Sequence, residues 1–190
     1  MYQIHTSLGF IMSSKNIGES DKLLSVFTRE NGLINILAHG VRYDKSKLRY
    51  HCQELTFSSL SFVKGREFYK LTGAESIFDG YHNNDERQKI LSKITKIIKR
   101  LVHGELPLSR IFDDLYSIMD MNVDILKSES EIFESVIVFR ILYDLGYIKV
   151  NNDHVDIVKM LLCEENILKY QDKRREINKF INQALKDSQL

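Results

Sequence analysis

Val26-Phe27-Thr28-Arg29-Glu30-Asn31-Gly32-Leu33-Ile34-Asn35-Ile36 decides how the first part of this chain folds. β-Branched and aromatic residues flank Asn31-Gly32, a pair that readily takes the positive φ values of a two-residue hairpin turn. Two strands, about 22–30 and 33–40, are therefore predicted to pair antiparallel. The same texture extends outward into strands at about 3–12, 54–64 and 67–78, the last two linked by Lys64-Gly65-Arg66. Within 54–64, Leu55 and Phe57 occupy one parity and Leu60 and Phe62 the other, with Ser58-Ser59 between them. A two-residue period cannot keep all four on one face, so a bulge or sharp bend near Ser58 is expected. Such bends curl a small sheet into a barrel. Five short strands with a longer connection, 41–53, between the third and fourth match an OB-like barrel.

Near residue 80 the period becomes helical. Ile90, Leu91, Ile94, Ile97, Ile98 and Leu101 form one apolar stripe on a helix from Asp85 to Val102, which Gly104 and Pro107 stop. A second helix is predicted over 109–121. A third opens at the capping-box spacing of Ser128 and Glu131 and ends at Gly146. A short helix near 154–162 and a charged one near 165–187 complete the chain. The predicted class is α+β: a five-stranded OB-fold barrel over 1–80, then an all-α domain over 81–190 with the wide apolar faces of a bundle.

The 190 residues suffice for one large domain or two small ones, and 43% hydrophobic with 28% charged residues is ordinary for a globular protein. No apolar run approaches the roughly 18 residues a membrane span needs. The N-terminus has no basic segment followed by an apolar stretch, so no signal peptide is expected. With net charge +1, binding to nucleic acid would have to rest on locally clustered charge. Cys52 and Cys163 stand alone, which excludes a cysteine-rich zinc site. They read as two free, buried thiols, with a disulfide between them left open.

The segment 41–51 is the most suggestive. Arg42, Lys45, Lys47 and Arg49 are interleaved with Tyr43, Tyr50 and His51, opposed only by Asp44. Such cations replace phosphate counterions and tyrosine faces stack on unpaired bases; the other reading is a solvated charged loop. Lys64 and Arg66 flank a hairpin tip, either extending a positive rim or discouraging edge-to-edge aggregation. Lys89, Lys93, Lys96 and Arg100 make a basic stripe on the first helix: a DNA path, a dock for an acidic peptide, or a solvated face. Arg140 is an arginine inside an apolar run, readable as a boundary charge whose stem covers apolar surface. Gly18-Glu19-Ser20-Asp21 reads as turn and strand-entry chemistry, because adjacent side chains on an extended segment point apart. The acidic residues Asp113, Asp114, Asp120, Asp124, Glu129, Glu131 and Glu134 are spread over helices and a loop. They read as a solvated face or a surface for a basic partner before a metal site. The six histidines show no zinc-protease spacing, and P-loop, GxGxxG and GxSxG motifs are missing, so no catalytic residue, metal or cofactor is expected.

One further signal is an ordered series of short motifs: Gly9-Phe10-Ile11, Gly18-Glu19-Ser20-Asp21, Phe27-Thr28-Arg29-Glu30, Ala38-His39-Gly40-Val41-Arg42, Lys45-Ser46-Lys47, Gln53-Glu54-Leu55-Thr56-Phe57, Lys64-Gly65-Arg66 and Ala74-Glu75. Over about residues 8–78 this series resembles the RecO family of bacterial recombination mediators, and Phe139 to Tyr147 is similar to a helix end of that family. The four-cysteine module of many members is missing, and the resemblance implies a trimmed helical part.

The resemblance implies a non-enzymatic, cytoplasmic, nucleoid-associated protein that binds single- and double-stranded DNA on its barrel, anneals strands and assists RecA loading. RecR and the acidic C-terminal tail of single-strand binding protein are the implied partners. Arg42, Tyr43, Lys45, Lys47, Arg49, Lys64 and Arg66 are then the expected DNA contacts. Lys93, Lys96, Arg100 and Arg140 are the expected partner contacts, Arg140 holding a carboxylate beside Phe139 and Tyr143. The alternative readings are a protein-interaction adaptor that does not bind DNA, and an enzyme with an unrecognised site.

Overall fold

The hairpin expected at Asn31-Gly32 forms, with one residue more in its turn. Strands β2 (Asp21–Thr28) and β3 (Gly32–Ala38) pair antiparallel from Lys22↔Ala38 to Thr28↔Gly32. Arg29, Glu30 and Asn31 make the turn, and Gly32 alone of these four takes a left-handed φ, +66°. Thr28 explains the extra residue: its Oγ1 accepts the Asn31 N–H at 3.1 Å and donates to the Gly32 carbonyl at 3.2 Å. Three-residue loops closed by a left-handed residue are the next commonest hairpin after the two-residue type.

The computed structural model describes residues 3–78, 85–102, 104–149 and 154–187. The chain divides into two units, residues 1–83 with 103–112 and residues 84–102 with 113–190. In the first, β1 (Ile4–Ile17), β4 (Thr56–Lys64) and β5 (Tyr69–Ser76) join β2 and β3 in a closed barrel of order β1-β2-β3-β5-β4. Only β3 and β5 run parallel. The class is α+β with a five-stranded barrel first, as the sequence predicts.

β1 runs five residues past its expected end at residue 12. From Ile4 to Ile11 it pairs with β4; from Gly9 to Ile17 it pairs with β2, shifting register at Met12. Ser13 to Ile17 therefore form a two-stranded arm with β2, which has no need of the alternation that marks a half-buried strand.

The bulge expected near Ser58 is absent. β4 pairs with β1 without interruption from Ile4↔Val63 to Ile11↔Thr56, and its irregularity against β5 lies between Ser61 and Phe62. Both faces of this wall are buried instead. Leu60 and Phe62 point into the barrel with Ile11, Leu24, Val26, Ile34 and Ile36. Phe57 points outward onto Phe10, Phe78 and Phe112, with ring centroids 4.8, 6.2 and 5.7 Å away. Phe27 reaches Phe112 from β2 at 6.1 Å. The change of parity in the sequence thus records a wall covered on both sides rather than a bend.

The second unit is helical: α1 (Asp85–Leu101), α2 (Ser109–Ser117, within which the division of units falls), α3 (Val123–Ser128), α4 (Ser130–Asp144), α5 (Val155–Lys159), α6 (Glu164–Leu168) and α7 (Arg174–Asp187). α4 is apolar nearly all round, burying Ile132, Phe133, Val136, Ile137, Phe139, Ile141 and Leu142, and α1, α3, α5, α6 and α7 all touch it. The capping box expected from Ser128 and Glu131 does not form. Ser128 ends α3, a helix not anticipated, whose N-cap Asn122 accepts the Asp124 N–H at 2.8 Å. Gly146 does follow α4 with φ +80°. The charged last helix is two helices, parted by turns over Lys169 to Lys173.

Candidate nucleic-acid interface

The connection from β3 to β4 carries most of the predicted contacts, and the barrel core decides how it lies. Val41 and Cys52, near its two ends, are 1% exposed inside the barrel, and Leu48 packs against the same core. Burying side chains of this kind stabilises by about 1.5–3 kcal/mol each, which pins the connection in three places. Lys47–Arg49 form a short 3₁₀ turn against β5. Most of the polar side chains between the pins are then left to face outward.

Lys45, Lys47 and Arg49 are exposed, as are the rings of Tyr43 (63%) and Tyr50 (73%). Arg49 Nη1 lies 2.9 Å from Asp44 Oδ1, but both side chains are solvated, so the pair holds little energy. Tyr43 rests its ring edge on Gly40, where a Cβ would stand 3.3 Å from Cδ2. Two predicted members of the cluster point elsewhere. Arg42 is half-buried: its N–H donates to the Ser20 carbonyl at 2.9 Å and its Nη1 to the Gly18 carbonyl at 3.0 Å, tying the connection to the β1–β2 turn. His51, read in the sequence as one more ring beside the tyrosines, is turned into the end of β5, its Nδ1 accepting from Ser76 N at 3.1 Å and lying 2.9 Å from Ser76 Oγ. It is a structural anchor, not a stacking face.

Lys64 and Arg66 are exposed at the β4–β5 hairpin. They border a cleft of about 690 Å³ floored by Leu37, Val63 and Phe68, and Lys70 adds a third cation against Glu67. Lys70 pairs in register with Leu37 near the end of β3, where the connection begins, so cleft and connection share that edge of the barrel. Lys70 is visible in the sequence as a cation on the fifth predicted strand; the β4–β5 hairpin sets it opposite Val63, and the β3–β5 pairing adds Leu37 beside it.

The turn that holds Arg42 is itself ordered by Asp21. Its Oδ1 accepts the Gly40 N–H at 2.8 Å and the Ser20 hydroxyl at 2.9 Å, and its Oδ2 lies 2.7 Å from His39 Nδ1. The backbone N–H of Gly40 first, then His39 and Ser20, hold this carboxyl below the usual carboxylate range. Gly18 to Asp21 is turn and strand entry, as read, but its aspartate also orders the candidate site.

The predicted partner contacts lie on the helical unit. Lys96 and Arg100 are exposed on α1, while Lys93 reaches across to Glu134 of α4 at 2.5 Å. Arg140 must be corrected. Its side chain is 1% exposed, and its guanidinium is consumed internally by Asp114, at 2.5 Å, and by the carbonyls of Ile157, Val158 and Met160. It cannot receive a partner's carboxylate in this conformation. Cys163 departs from expectation too, being half-buried rather than buried, and both thiols are free.

Among the described residues, no group of three or more His, Cys, Asp or Glu could hold a metal ion, and no helix is long and apolar enough to cross a membrane.

Residues 1–78 match the family model for the N-terminal domain of recombination protein O. DNA repair protein RecO of Heliobacterium modesticaldum is 32% identical over 101 residues, 52% of this chain and 37% of that protein. The RecO of Halalkalibacterium halodurans is 32% identical over 114 residues, covering 59% and 45% respectively. That of Acetivibrio thermocellus is 27% identical over 143 residues, covering 73% and 56%. This chain thus spans between about two fifths and just over half of these three relatives.

Proposed function

We propose, from the membership of this chain in the RecO family through residues 1–78, that its barrel binds DNA without reading sequence and serves repair by recombination. One observation carries the reading: Val41 and Cys52 are sunk in the barrel and Leu48 packs against its core, while Tyr43, Lys45, Lys47, Arg49 and Tyr50 between them stand in solvent. Cations there displace phosphate counterions, and the two rings offer faces for unpaired bases. Lys64, Arg66 and Lys70 around the neighbouring cleft extend the positive surface. Binding of this kind positions a strand but does not specify a base. Annealing of strands and support of RecA loading are the activities proposed, with RecR and single-strand binding protein as partners. Of the four cations expected to meet a partner, Lys96 and Arg100 stand exposed and are the ones proposed to meet an acidic partner. No covalent step is involved, and no catalytic residue is assigned.

The test is a salt titration of single-stranded oligonucleotide binding by the full chain and by a Lys45→Glu, Lys47→Glu, Arg49→Glu variant. Affinity of the parent should fall steeply with salt, and the variant should lose most of it. An unchanged affinity in the variant removes the connection from the interface. A parent that binds no DNA favours the adaptor reading.

A further inference from the structure

We propose that His39 is a proton-gated contact for a DNA phosphate, oriented for that task by Asp21; the proposal rests on the DNA-binding reading above. His39 follows β3 directly, at the corner from which the cationic connection departs, and its side chain is 56% exposed. Nδ1 faces Asp21 Oδ2 at 2.7 Å. Asp21 is an ionised carboxylate whose other oxygen already accepts from Gly40 and Ser20, so Nδ1 must be the donor in this contact. That fixes the tautomer. In the neutral ring Nε2, on the side away from Asp21, carries a lone pair, which repels a phosphate oxygen. In the protonated ring the same atom becomes an N–H donor bearing positive charge, which binds one.

The setting supports a contact rather than a mere brace. Gly40 is held by the same carboxylate, and Arg42, two residues further on, is tied to Gly18 and Ser20 of the adjoining turn. The charged groups on the segments framing His39 are Glu19 and Asp21 at the turn and β2 entry, Lys22 on β2, and Arg42 and Asp44 on the connection. Closing a corner would need only the Asp21–Gly40 hydrogen bond, yet the ring is displayed to solvent with one nitrogen engaged and the other turned away.

The experiment measures single-stranded oligonucleotide affinity by fluorescence anisotropy at constant ionic strength, at about pH 6 and about pH 8, on either side of the ordinary histidine range. The parent should bind roughly three- to tenfold more tightly at the lower pH, the range expected of one partly exposed charge-assisted hydrogen bond. His39→Gln should keep the affinity seen at the higher pH and lose the gain. His39→Arg, permanently charged, should bind tightly at both. His5→Gln, altering another exposed histidine of this unit, should leave the response intact. Retention of the full pH response in His39→Gln, or its loss in His5→Gln, overturns the proposal while leaving the DNA-binding reading standing. A parent that binds at neither pH defeats that reading and this proposal together.

Discussion

The guanidinium of Arg140, in the C-terminal half of α4, lies 2.5 Å from Asp114 of α2, and both side chains are all but removed from water, at 1% and 7% exposure. The carbonyls of Ile157, Val158 and Met160 take three more of its N–H donors, so one side chain ties α2, α4, α5 and the turn after α5. Replacing Arg140 by Ala takes from the buried carboxylate of Asp114 and from three carbonyls the charged donor they share, and the expected loss is about 3–5 kcal/mol. Urea unfolding checks this. Replacing both partners, Arg140→Met with Asp114→Leu, should recover a large part of that loss, because the expense lies in keeping the carboxylate buried without its guanidinium. A loss below about 1 kcal/mol in Arg140→Ala, the scale of an exposed pair, would defeat the assignment.

Arg140 also shows where reading from sequence stops. Its neighbours on the helix are apolar, which marks it as unusual, but its partner Asp114 is 26 residues away and only the packing of α2 against α4 joins them. Local signals did better. The alternation around Asn31-Gly32, the breaks at Gly18 and Lys64-Gly65-Arg66, and the stripe on α1 each depend on a few adjacent residues, and each element forms. The misses share a cause. The arm at Ser13 to Ile17 has no buried face to impose alternation, and Phe57 shifts parity because a distant segment bearing Phe112 covers the outside of the barrel. In the candidate site, the clustering of charge and rings at 42–50 was legible. The inward turn of His51 and the arrival of Lys70 beside Leu37 depend on β5, whose parallel pairing with β3 has no signature in either strand.

Gly32 separates a conformational requirement from a steric one. It has φ +66°, and a Cβ there would stand 2.1 Å from the Leu106 carbonyl oxygen; Gly18 has φ +55° with nothing within 4 Å. Gly18→Ala should therefore cost only the left-handed penalty, about 1–2 kcal/mol. Gly32→Ala should cost distinctly more, since Leu106 is backbone and cannot rotate aside. Thermal or urea melts of the two variants give the comparison. Equal losses would mean that the segment at Leu106 yields freely.

Tyr43 and Tyr50 are exposed enough to be altered without disturbing the fold, so their loss should read out in binding alone. Each Tyr→Ala change should weaken single-strand affinity by about 1–3 kcal/mol if its ring stacks on a base, with Tyr→Phe close to the parent. Duplex DNA, whose bases are already stacked, should show little of this effect. Equal losses for single and double strands would instead assign both residues to backbone contacts.

Cys52 and Cys163 should differ sharply as nucleophiles, because only the thiolate reacts and only one of the two is reachable. Cys52 is 1% exposed in the barrel core, and burial pushes its thiol up to about 11 from an ordinary 9.0, against a small opposing effect of Lys22. In the native protein at neutral pH a thiol reagent should therefore modify Cys163 promptly and Cys52 only as the barrel unfolds. The same shift predicts how stability varies in alkali. Below the unfolded thiol's pKa of 9.0 both states hold the proton, and the contribution of Cys52 is constant. Between 9.0 and about 11 the unfolded chain releases its proton while the folded barrel keeps it, so stability falls as pH rises. Relative to Cys52→Ala, the parent should lose about 2 kcal/mol across that interval, by the conversion of roughly 1.4 kcal/mol for each pKa unit. Measuring both proteins cancels the tyrosines and lysines that titrate in the same range. Prompt modification of both thiols in the native state, or parallel stability curves for the two proteins, would show that Cys52 and the connection it anchors open to solvent without unfolding the barrel.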